Sequence, residues 1–338
     1  MKRKTKRFYA ISIFAALLLF VSARAQQKSW YKGNTHTHTI NSDGDTSPDE
    51  VVRWYKEHEY NFLVLSDHNF LTEVEGLNSI FAAQEKFLLI KGEEVTDSFK
   101  DKPVHVNGLN ISQVVLPQHG ASILETIQNN VNSIRTVGGV PHVNHPNFDW
   151  AITADELRLV QNERLFEIYN GHPRVHNVGG GGSPSPEQMW DLILSSEKLI
   201  YGIAVDDAHH FKGEFAPDRS NPGRGWVMVY ASELSATAIL EAMENGSFYA
   251  STGVTLSDYS ATPEEIKISI AEEPSFKYTT YFIADGGKLL SASYGPTVRY
   301  HFTGEEKYVR ARVQDSMGHL AWTQPVYVKK LTRAAQPQ

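Results

Sequence analysis

The chain has 338 residues, 41% hydrophobic and 21% charged, a composition typical of folded proteins and long enough for one large domain and a small one. It contains no cysteine, which excludes disulfides, thiolate metal sites and a cysteine nucleophile and leaves His, Asp and Glu as the strong metal ligands. Its formal net charge of -7 argues against nucleic-acid binding, which needs a clustered basic surface.

The first 25 residues have the three parts of an export signal: a basic start, an apolar stretch over 11–21, and Ala23-Arg24-Ala25 before Gln26. The apolar stretch is shorter than the ~20 residues of a membrane-spanning helix, so we expect cleavage rather than a stable membrane anchor. An uncleaved anchor is the alternative. Cleavage removes six basic residues and no acidic ones, which takes the net charge from -7 to -13. We therefore expect a periplasmic or secreted protein.

A candidate metal-binding pattern follows at residues 34–44, Asn-Thr-His-Thr-His-Thr-Ile-Asn-Ser-Asp-Gly. His36 and His38 are two residues apart, so on an extended strand they project from the same face and can share one cation. Asp43 lies in a Ser-Asp-Gly turn that can return a carboxylate to the same place. Histidines spaced in this way also occur as ordinary surface residues, so the pattern alone does not establish a site.

From residue 30 to residue 245 strand and helix patterns alternate. Helices are expected from residue 47 and over 73–86, 122–135, 153–160, 185–197 and 235–245. Short apolar strands are expected over 62–66, 87–90, 104–111, 138–146, 165–169, 199–205 and 226–231. Repeated strand-helix units imply parallel strands, either closed into a barrel or open as a doubly wound sheet.

The candidate metal-binding residues decide between these two architectures, because nearly all of them fall at predicted strand ends. In a barrel those ends converge on one mouth, whereas an open sheet would scatter them along an edge. Twelve of the fourteen histidines also precede residue 211, so the predicted metal chemistry belongs to this part of the chain. The strand-end candidates are His36, His38, His68, Glu94, His105, His145, Glu167, Asp207 and His209.

From about residue 263 the pattern changes to β-rich runs separated by turns. We therefore predict a barrel domain over 26–262 and a small all-β domain over 263–338. No catalytic pattern stands out in the second domain. We expect it to buttress the barrel, with carbohydrate or surface binding as the alternative.

Several motifs follow one another between residues 30 and 251: HTHT with Asp43, SDHN at 66–69, GEE at 92–94, His105, His145 before a proline, and DDAH at 206–209. In this order they resemble the PHP (polymerase and histidinol phosphatase) superfamily. The segments YGIAVDDAHHF, PGRGWVMV and SFYASTG further resemble its CehA/McbA-like metallohydrolase branch. The resemblance implies a distorted (β/α)7 barrel with two or three divalent metal ions at its mouth. Nitrogen and oxygen ligands suit Zn, Mn or Fe.

The resemblance also implies how the ligands are shared. Glu94 rather than Glu93, and Asp207 rather than Asp206, match the spacing of the family. A carboxylate that bridges two cations would hold them ~3.5–4 Å apart, close enough to act on one substrate. The implied groups are His36, His38, Glu94 and Asp207 for one metal, Glu94, His105 and His145 for a second, and Asp43, His68 and His209 for a third.

Four further residues are candidates for catalytic or supporting roles. We expect Asp67 to orient an imidazole, because metal-bound histidines usually donate their second N–H. Glu167 either does the same or helps inside the site, and His142 either faces the substrate or packs at the rim. Arg224, like Arg174 in another long loop, either grips an anionic substrate or has a structural role.

Three functions are compatible with these residues: a metal-dependent phosphoesterase, a carboxyl-ester, carbamate or amide hydrolase, and a non-catalytic metal-containing binding module. The apparently complete ligand set argues against the third, because structural metal sites tend to be closed and single. A phosphomonoester carries two negative charges, which a third cation and an arginine would match. We therefore predict a phosphoesterase that acts on a small anionic or ester substrate. The sequence sets neither the substrate nor the oligomeric state.

Overall fold

The computed structural model describes residues 28–82 and 86–328, so the predicted export signal lies outside the described residues. In this part of the chain no helix is long and apolar enough to span a bilayer. The helices are Pro48–Glu57 (α1), Glu75–Phe81 (α2), Ile123–Thr136 (α3), Ala154–Leu157 (α4), Pro186–Ser195 (α5) and Ala236–Glu244 (α6). The strands of the first part are Ser29–Asn34 (β1), Phe62–Leu65 (β2), Leu88–Phe99 (β3), Lys102–Leu109 (β4), Val140–Val143 (β5), Leu165–Asn170 (β6), Tyr201–Val205 (β7), Trp226–Ala231 (β8) and Phe248–Ser251 (β9).

The later strands are shorter on average and follow one another with turns between them. They are Leu256–Ala261 (β10), Glu265–Ile270 (β11), Tyr278–Ala284 (β12), Lys288–Tyr294 (β13), Thr297–His301 (β14), Tyr308–Asp315 (β15), Leu320–Thr323 (β16) and Val326–Tyr327 (β17). Together the elements make a mixed α/β fold with one large sheet, in agreement with the predicted class.

Seven neighbouring strands, β1 to β7, carry the predicted motifs. β1, β2 and β3 are parallel to one another, and so are β5, β6 and β7. β4 is antiparallel to both of its neighbours, so the all-parallel expectation is wrong at this strand. The reason is that β3 runs past its predicted end at residue 90 and turns directly into β4 at Lys100, which has a left-handed φ of 55°. Such a tight hairpin leaves no room for a crossover helix.

The first and the last of these seven strands meet just beyond their ends. Thr37 and Ala208 form a parallel bridge. The amide of His38 donates to the Ala208 carbonyl at 3.0 Å, and the amide of Asp207 donates to the His36 carbonyl at 3.0 Å. The earlier part of β1 pairs instead with the antiparallel β8. Two segments that lie about 170 residues apart in sequence, HTHT and DDAH, are therefore held side by side.

The helices pack on this sheet through the apolar faces that their sequences predict. α1 begins with proline and two acidic residues in its first turn, and its Val51, Val52 and Tyr55 are buried in one core cluster with Leu63 of β2. α5 begins with a capping box formed by Ser185 and Gln188. Two predicted helices are shorter than expected, since α2 covers only Glu75–Phe81 and α4 only Ala154–Leu157.

After α6 the described chain consists almost entirely of strands. β9 pairs with β16, so that β12, β13, β15 and β16 continue the large sheet, while β10, β11 and β14 form a separate sheet of three strands. Ile266 and Ile268 of the small sheet pack with Phe282 and Val309 of the large one. The domain boundary between residues 262 and 263 stays a prediction, because β9 joins both parts through one sheet.

A buried ion pair fixes the C-terminal strands to α5. The guanidinium of Arg310 in β15 is 1% exposed and donates to both carboxylate oxygens of Asp191, at 2.8 Å and 2.7 Å. The hydroxyl of Tyr308 donates to the same carboxylate at 2.8 Å, and Arg310 also reaches Glu187 at 2.9 Å. Bidentate geometry, with a hydrogen bond from each of the three guanidinium nitrogens to a carboxylate, offsets the cost of burying these charges.

Removing one partner of this pair should destabilise the protein strongly. We expect Asp191→Ala to lower the free energy of unfolding by about 3–5 kcal/mol, because it removes the bidentate partner of the buried Arg310 guanidinium and leaves Glu187 as its remaining carboxylate contact. The control is Asp155→Ala, which removes an exposed pair with Arg158 at 2.9 Å and should cost less than about 1 kcal/mol. Urea unfolding of both variants measures the difference, and equal losses would contradict the assignment.

Candidate metal centre

Four donor atoms lie close together: two from the segment after β1, one from the segment after β7 and one from the interior of β3. The Nε2 atoms of His36 and His38 are 3.1 Å apart, and Asp207 Oδ1 lies 3.2 Å from each of them. Glu94 Oε2 lies 3.3 Å from both imidazole nitrogens. These separations are close to the ~3 Å between neighbouring ligands of one ion when metal-ligand bonds are ~2.0–2.2 Å long. The structure thus brings together the four residues of the first implied ligand group.

Glu94 lies inside β3 rather than at a strand end, because β3 continues into the hairpin with β4. Its second oxygen, Oε1, faces the other side of the centre. Oε1 is 2.9 Å from His105 Nδ1 and 3.2 Å from His145 Nε2, the two partners expected for a second metal. Oε2 is also 2.9 Å from His68 Nδ1. One carboxylate therefore contacts five imidazoles.

The third implied group lies on the open side of the centre. Asp43 is 56% exposed, and its carboxylate is 3.3 Å from His209 Nε2 and 3.6 Å from His68 Nε2. His38 Nδ1 is 3.7 Å from the same carboxylate and so joins this group as well as the first. His68 likewise belongs to two groups, since it also lies with Glu94 and His105. The donors form one continuous centre, which we call the metal centre and define by the nine residues His36, His38, Asp43, His68, Glu94, His105, His145, Asp207 and His209.

The donor atoms of the metal centre fit divalent cations. Glu94 Oε2 is fully buried and has no hydrogen-bond partner among the residues that the structure describes, although imidazole nitrogens surround it. An unpaired buried carboxylate oxygen is costly, and a coordinated cation is the kind of partner that removes that cost. The set of nitrogen and oxygen donors, without thiolates, is also the set that such ions take in proteins.

The electrostatics of the centre keep its carboxylates ionised. Burial alone would raise the pKa of Glu94, but the imidazoles of His68, His36 and His105 outweigh it and hold that pKa well below its usual range. Burial acts against Asp207 in the same way, and the neighbouring His36 and His38 hold its pKa well below normal. Burial, with His209 nearby, lowers the pKa of His38 to about 4, so this imidazole is neutral and able to coordinate at pH 7.

Two residues of the metal centre have unusual backbone conformations. His145 has a φ of 20° and Asp207 a φ of 50°, both on the left-handed side that non-glycine residues seldom adopt. Each such residue costs roughly 1–3 kcal/mol and persists only where its surroundings hold it. The amide of His145 donates to Glu167 Oε2 at 2.7 Å, and this hydrogen bond helps to hold the conformation.

Glu167 supports the imidazoles from behind. Its Oε1 is 2.6 Å from His36 Nδ1, so the opposite nitrogen, Nε2, is the one presented to the centre. Its Oε2 accepts from the side-chain amide of Asn170 at 2.8 Å. Of the two roles that the sequence left open for Glu167, its contact with His36 favours the orienting one.

The role expected for Asp67 is wrong. Its hydrogen bonds in the described chain go to the Thr39 amide at 2.7 Å, the Ser42 hydroxyl at 2.8 Å and the Thr72 hydroxyl at 2.7 Å, not to an imidazole. The carboxylate points back toward the loop after β1, and it therefore orders the backbone between His38 and Asp43. The second nitrogen of a ligand is oriented by Glu167 instead.

Two other predicted helpers lie away from the open side. His142 is fully buried, with its ring 6.2 Å from that of His36, so it packs in the interior rather than at the rim. Arg224 donates from its guanidinium to the Gly171 carbonyl at 2.8 Å and the Ala216 carbonyl at 2.6 Å. These bonds support the rim loops, and anion binding by Arg224 stays a prediction.

Sequence reasoning missed three residues that contact the centre or its support. Asn144 donates to Glu94 Oε1 at 2.8 Å, and Asn170 donates to Asp207 Oδ2 at 3.1 Å. In the structure Asn144 directly follows β5 and Asn170 ends β6, so both lie at strand ends like most of the charged candidates. His172 lies two residues further along, with its ring 5.5 Å from that of His209. No spacing rule pointed to His172, because it sits in an irregular loop.

No protein-family model matches the sequence. Over 159 residues the chain is 27% identical to an uncharacterized protein of Methanocaldococcus jannaschii, a match that covers 43% of this chain and 70% of that protein.

A similar solved structure is a two-domain protein from Bacteroides vulgatus that contains a predicted PHP-like metal-dependent phosphoesterase. The two share a TM-score of 0.50 and 18% identity, over 88% of this chain and 96% of that chain. The likeness is one of overall fold.

Loss of the central carboxylate should release metal. We expect Glu94→Gln, after saturation with Mn²⁺ and dialysis, to retain less metal than wild type, because the amide removes the negative charge that faces both sides of the centre. His319→Ala, which alters a histidine paired with Asp315 in the C-terminal strands, should retain the wild-type amount. Elemental analysis of the folded proteins measures both. Unchanged metal content in Glu94→Gln would refute the central position of this residue.

Proposed function

We propose that this protein is an exported, metal-dependent phosphoesterase of the PHP type. The observation that carries the proposal is the metal centre itself, in which buried carboxylates and imidazoles face one another and open to solvent at Asp43. A structural site would be expected to be closed and single, whereas this one is extended and open on one side. The resemblance to the PHP superfamily and the likeness of fold to a PHP-like protein support the same proposal.

The side chains would divide the work as follows. When bound, two or three ions of Zn, Mn or Fe supply Lewis acidity and a hydroxide nucleophile near neutral pH. The buried carboxylates of Glu94 and Asp207 would offset the positive charge of these ions. Glu167 would keep the Nε2 atom of His36 directed toward the ions. Asp67 fixes the loop that carries Asp43, so the open side keeps its shape when substrate enters. The barrel is proposed as the (β/α)7 type, and the C-terminal strands as its buttress.

Hydrolysis of carboxyl esters, carbamates or amides is the second candidate. It is favoured by a specific observation, the engagement of the Arg224 guanidinium with two main-chain carbonyls, which leaves it less suited to grip a phosphate. The sequence segments that resemble the CehA/McbA-like branch point the same way. A binding module without activity is the weakest candidate, because it would not need an open side.

Paired substrates separate these reactions. With Mn²⁺ bound, we expect wild type to hydrolyse 4-nitrophenyl phosphate with a larger kcat/KM than 4-nitrophenyl acetate, after correction for the uncatalysed rates. The leaving group is the same in both, so the ratio reports the preference for the acid part of the ester. Robust acetate hydrolysis without phosphate hydrolysis would reverse the ranking of the two candidates.

Arg224→Ala tells which role this arginine has. If the guanidinium shapes the rim, as its bonds to Gly171 and Ala216 suggest, phosphate and acetate turnover should fall by the same factor. If it grips the phosphate, only phosphate turnover should fall, by roughly tenfold or about 1.4 kcal/mol. We expect the equal fall, and a selective loss would restore the anion-binding role.

Export is proposed from the sequence of the first 25 residues, together with a mature net charge of -13 that suits small-molecule substrates better than nucleic acids. Expression of the full chain in a Gram-negative host should give a product that begins at Gln26 or within a few residues of it. N-terminal sequencing of the periplasmic fraction measures this. Recovery of the product in the membrane fraction with Met1 retained would contradict the proposal.

A further inference from the structure

A cavity of about 550 Å³ lies at the opposite end of β1 and β7 from the metal centre. Its lining includes Trp30, near the start of β1, and Tyr201, at the start of β7. The residues that these strands give to the metal centre follow their other ends, and the extended chain from Trp30 to His36 covers about 20 Å. We call this space the aromatic cavity. Its volume falls within the range of ~300–1,000 Å³ that small-molecule sites occupy.

Five aromatic rings line the aromatic cavity: those of Trp30, Tyr201, Tyr230, Tyr259 and Tyr327. Trp30 and Tyr230 are opposite each other on the paired strands β1 and β8, so their side chains lie on the same face of the sheet. The centroid of the Trp30 ring is 4.9 Å from that of Tyr230 and 6.5 Å from that of Tyr259, with tilts of 37° and 32°. These three rings thus form a strip of neighbouring surfaces, not two parallel walls that would enclose a flat ligand.

Uncharged polar groups border this strip. Asn245, Ser247 and Ser260 line the same cavity. The side-chain nitrogen of Asn245 donates to the Glu241 carbonyl at 2.8 Å, which leaves its Oδ1 as an acceptor. A serine hydroxyl can donate as well as accept. The border therefore offers both halves of the hydrogen bonds that a hydroxyl group makes.

The charges around the aromatic cavity favour a neutral occupant. None of the lining residues that the structure describes has a charged side chain, so a buried anion would find no counter-charge in this lining. A cation is disfavoured by Lys28, whose ammonium already lies 5.7 Å from the centroid of the Tyr230 ring. A wholly apolar ligand would leave the polar border without partners. The lining fits an uncharged molecule that has both apolar faces and hydroxyl groups.

We propose that the aromatic cavity binds a neutral saccharide. A sugar ring presents C–H groups on its faces, which the partially negative face of an aromatic ring attracts. The hydroxyls at its edge would bond to groups such as Asn245 Oδ1 and the Ser247 hydroxyl. A strip of three rings suits consecutive units of one oligosaccharide. This site is independent of the proposed hydrolytic function, since it would hold the protein on a saccharide while the metal centre at the other end stays open.

The test is the binding of neutral oligosaccharides to the full chain. We would titrate cellohexaose, maltohexaose, mannohexaose and xylohexaose by calorimetry. Hexagalacturonate, choline and adenosine serve as the anionic, the cationic and the flat aromatic probe. We expect at least one neutral hexasaccharide to bind with a Kd below about 1 mM, and more tightly than each of the three other probes.

Tyr230 offers a variant that leaves the core intact, because its side chain is 38% exposed. Tyr230→Ala should raise the Kd of the bound hexasaccharide by about fivefold or more, because it removes one ring of the strip. Tyr230→Phe keeps the ring and should stay within about twofold of wild type. Tyr294→Ala, which alters an aromatic residue that is 77% exposed at the end of β13 and outside the cavity, should keep the wild-type Kd.

Each outcome decides for or against the inference. Weaker binding in Tyr230→Ala, with unchanged binding in Tyr230→Phe and Tyr294→Ala, would support it. Absence of binding by all four hexasaccharides, or binding that Tyr230→Ala leaves unchanged, would overturn it. Tighter binding of hexagalacturonate, choline or adenosine would overturn it as well. Metal content and ester hydrolysis of Tyr230→Ala should match wild type, so failure of this inference would leave the proposed function untouched.

Discussion

The metal centre depends on one buried carboxylate. Glu94 is fully buried, and its two oxygens contact imidazoles that come from the segments after β1, β2 and β5 and from β4. Taking an isolated carboxylate out of water costs on the order of several kcal/mol, which only close positive partners can offset. Each imidazole-bearing segment is therefore held in place partly by its attraction to this residue. The same arrangement leaves Glu94 Oε2 without a hydrogen bond from any described residue, so this oxygen is free to bind a cation.

A second layer of side chains fixes the orientation of the residues in the metal centre. Glu167 and Asn170 of β6 set the orientation of His36 and Asp207, and Asn144 sets that of Glu94. Asp206, next to the ligand Asp207, accepts three main-chain amides of the loop at 223–225 together with the Tyr55 hydroxyl. These two neighbouring acidic residues thus face different partners: Asp207 faces imidazoles of the metal centre, and Asp206 faces the backbone.

Much of the centre could be predicted because period-two spacing and strand ends are local properties of a sequence. His36, His38 and Asp207 were found in this way, and the structure places them side by side. The supporting contacts could not be predicted, because they depend on how loops fold back. Asp67 illustrates this: its neighbour His68 suggested an imidazole partner, yet its carboxylate turns toward a loop more than twenty residues earlier in sequence.

The hairpin of β3 and β4 was missed for a related reason. The turn chemistry at Lys100 is weak in sequence, since no glycine or proline marks it, and a left-handed lysine is uncommon. Sequence patterns therefore predicted the residues of the metal centre better than the turns and loops around it.

The pairing of β9 with β16 has a consequence for any attempt to isolate the part of the chain that carries the metal centre. β9 is bordered by β8 on one side and by a strand from the end of the chain on the other. A protein cut at residue 262 would present β9 as a bare edge, with main-chain donors and acceptors ready to pair with another molecule. Its Tyr249 and Ala250, now fully buried, would lose cover at the same time. The C-terminal strands thus act as a cap against self-association, whatever else they do.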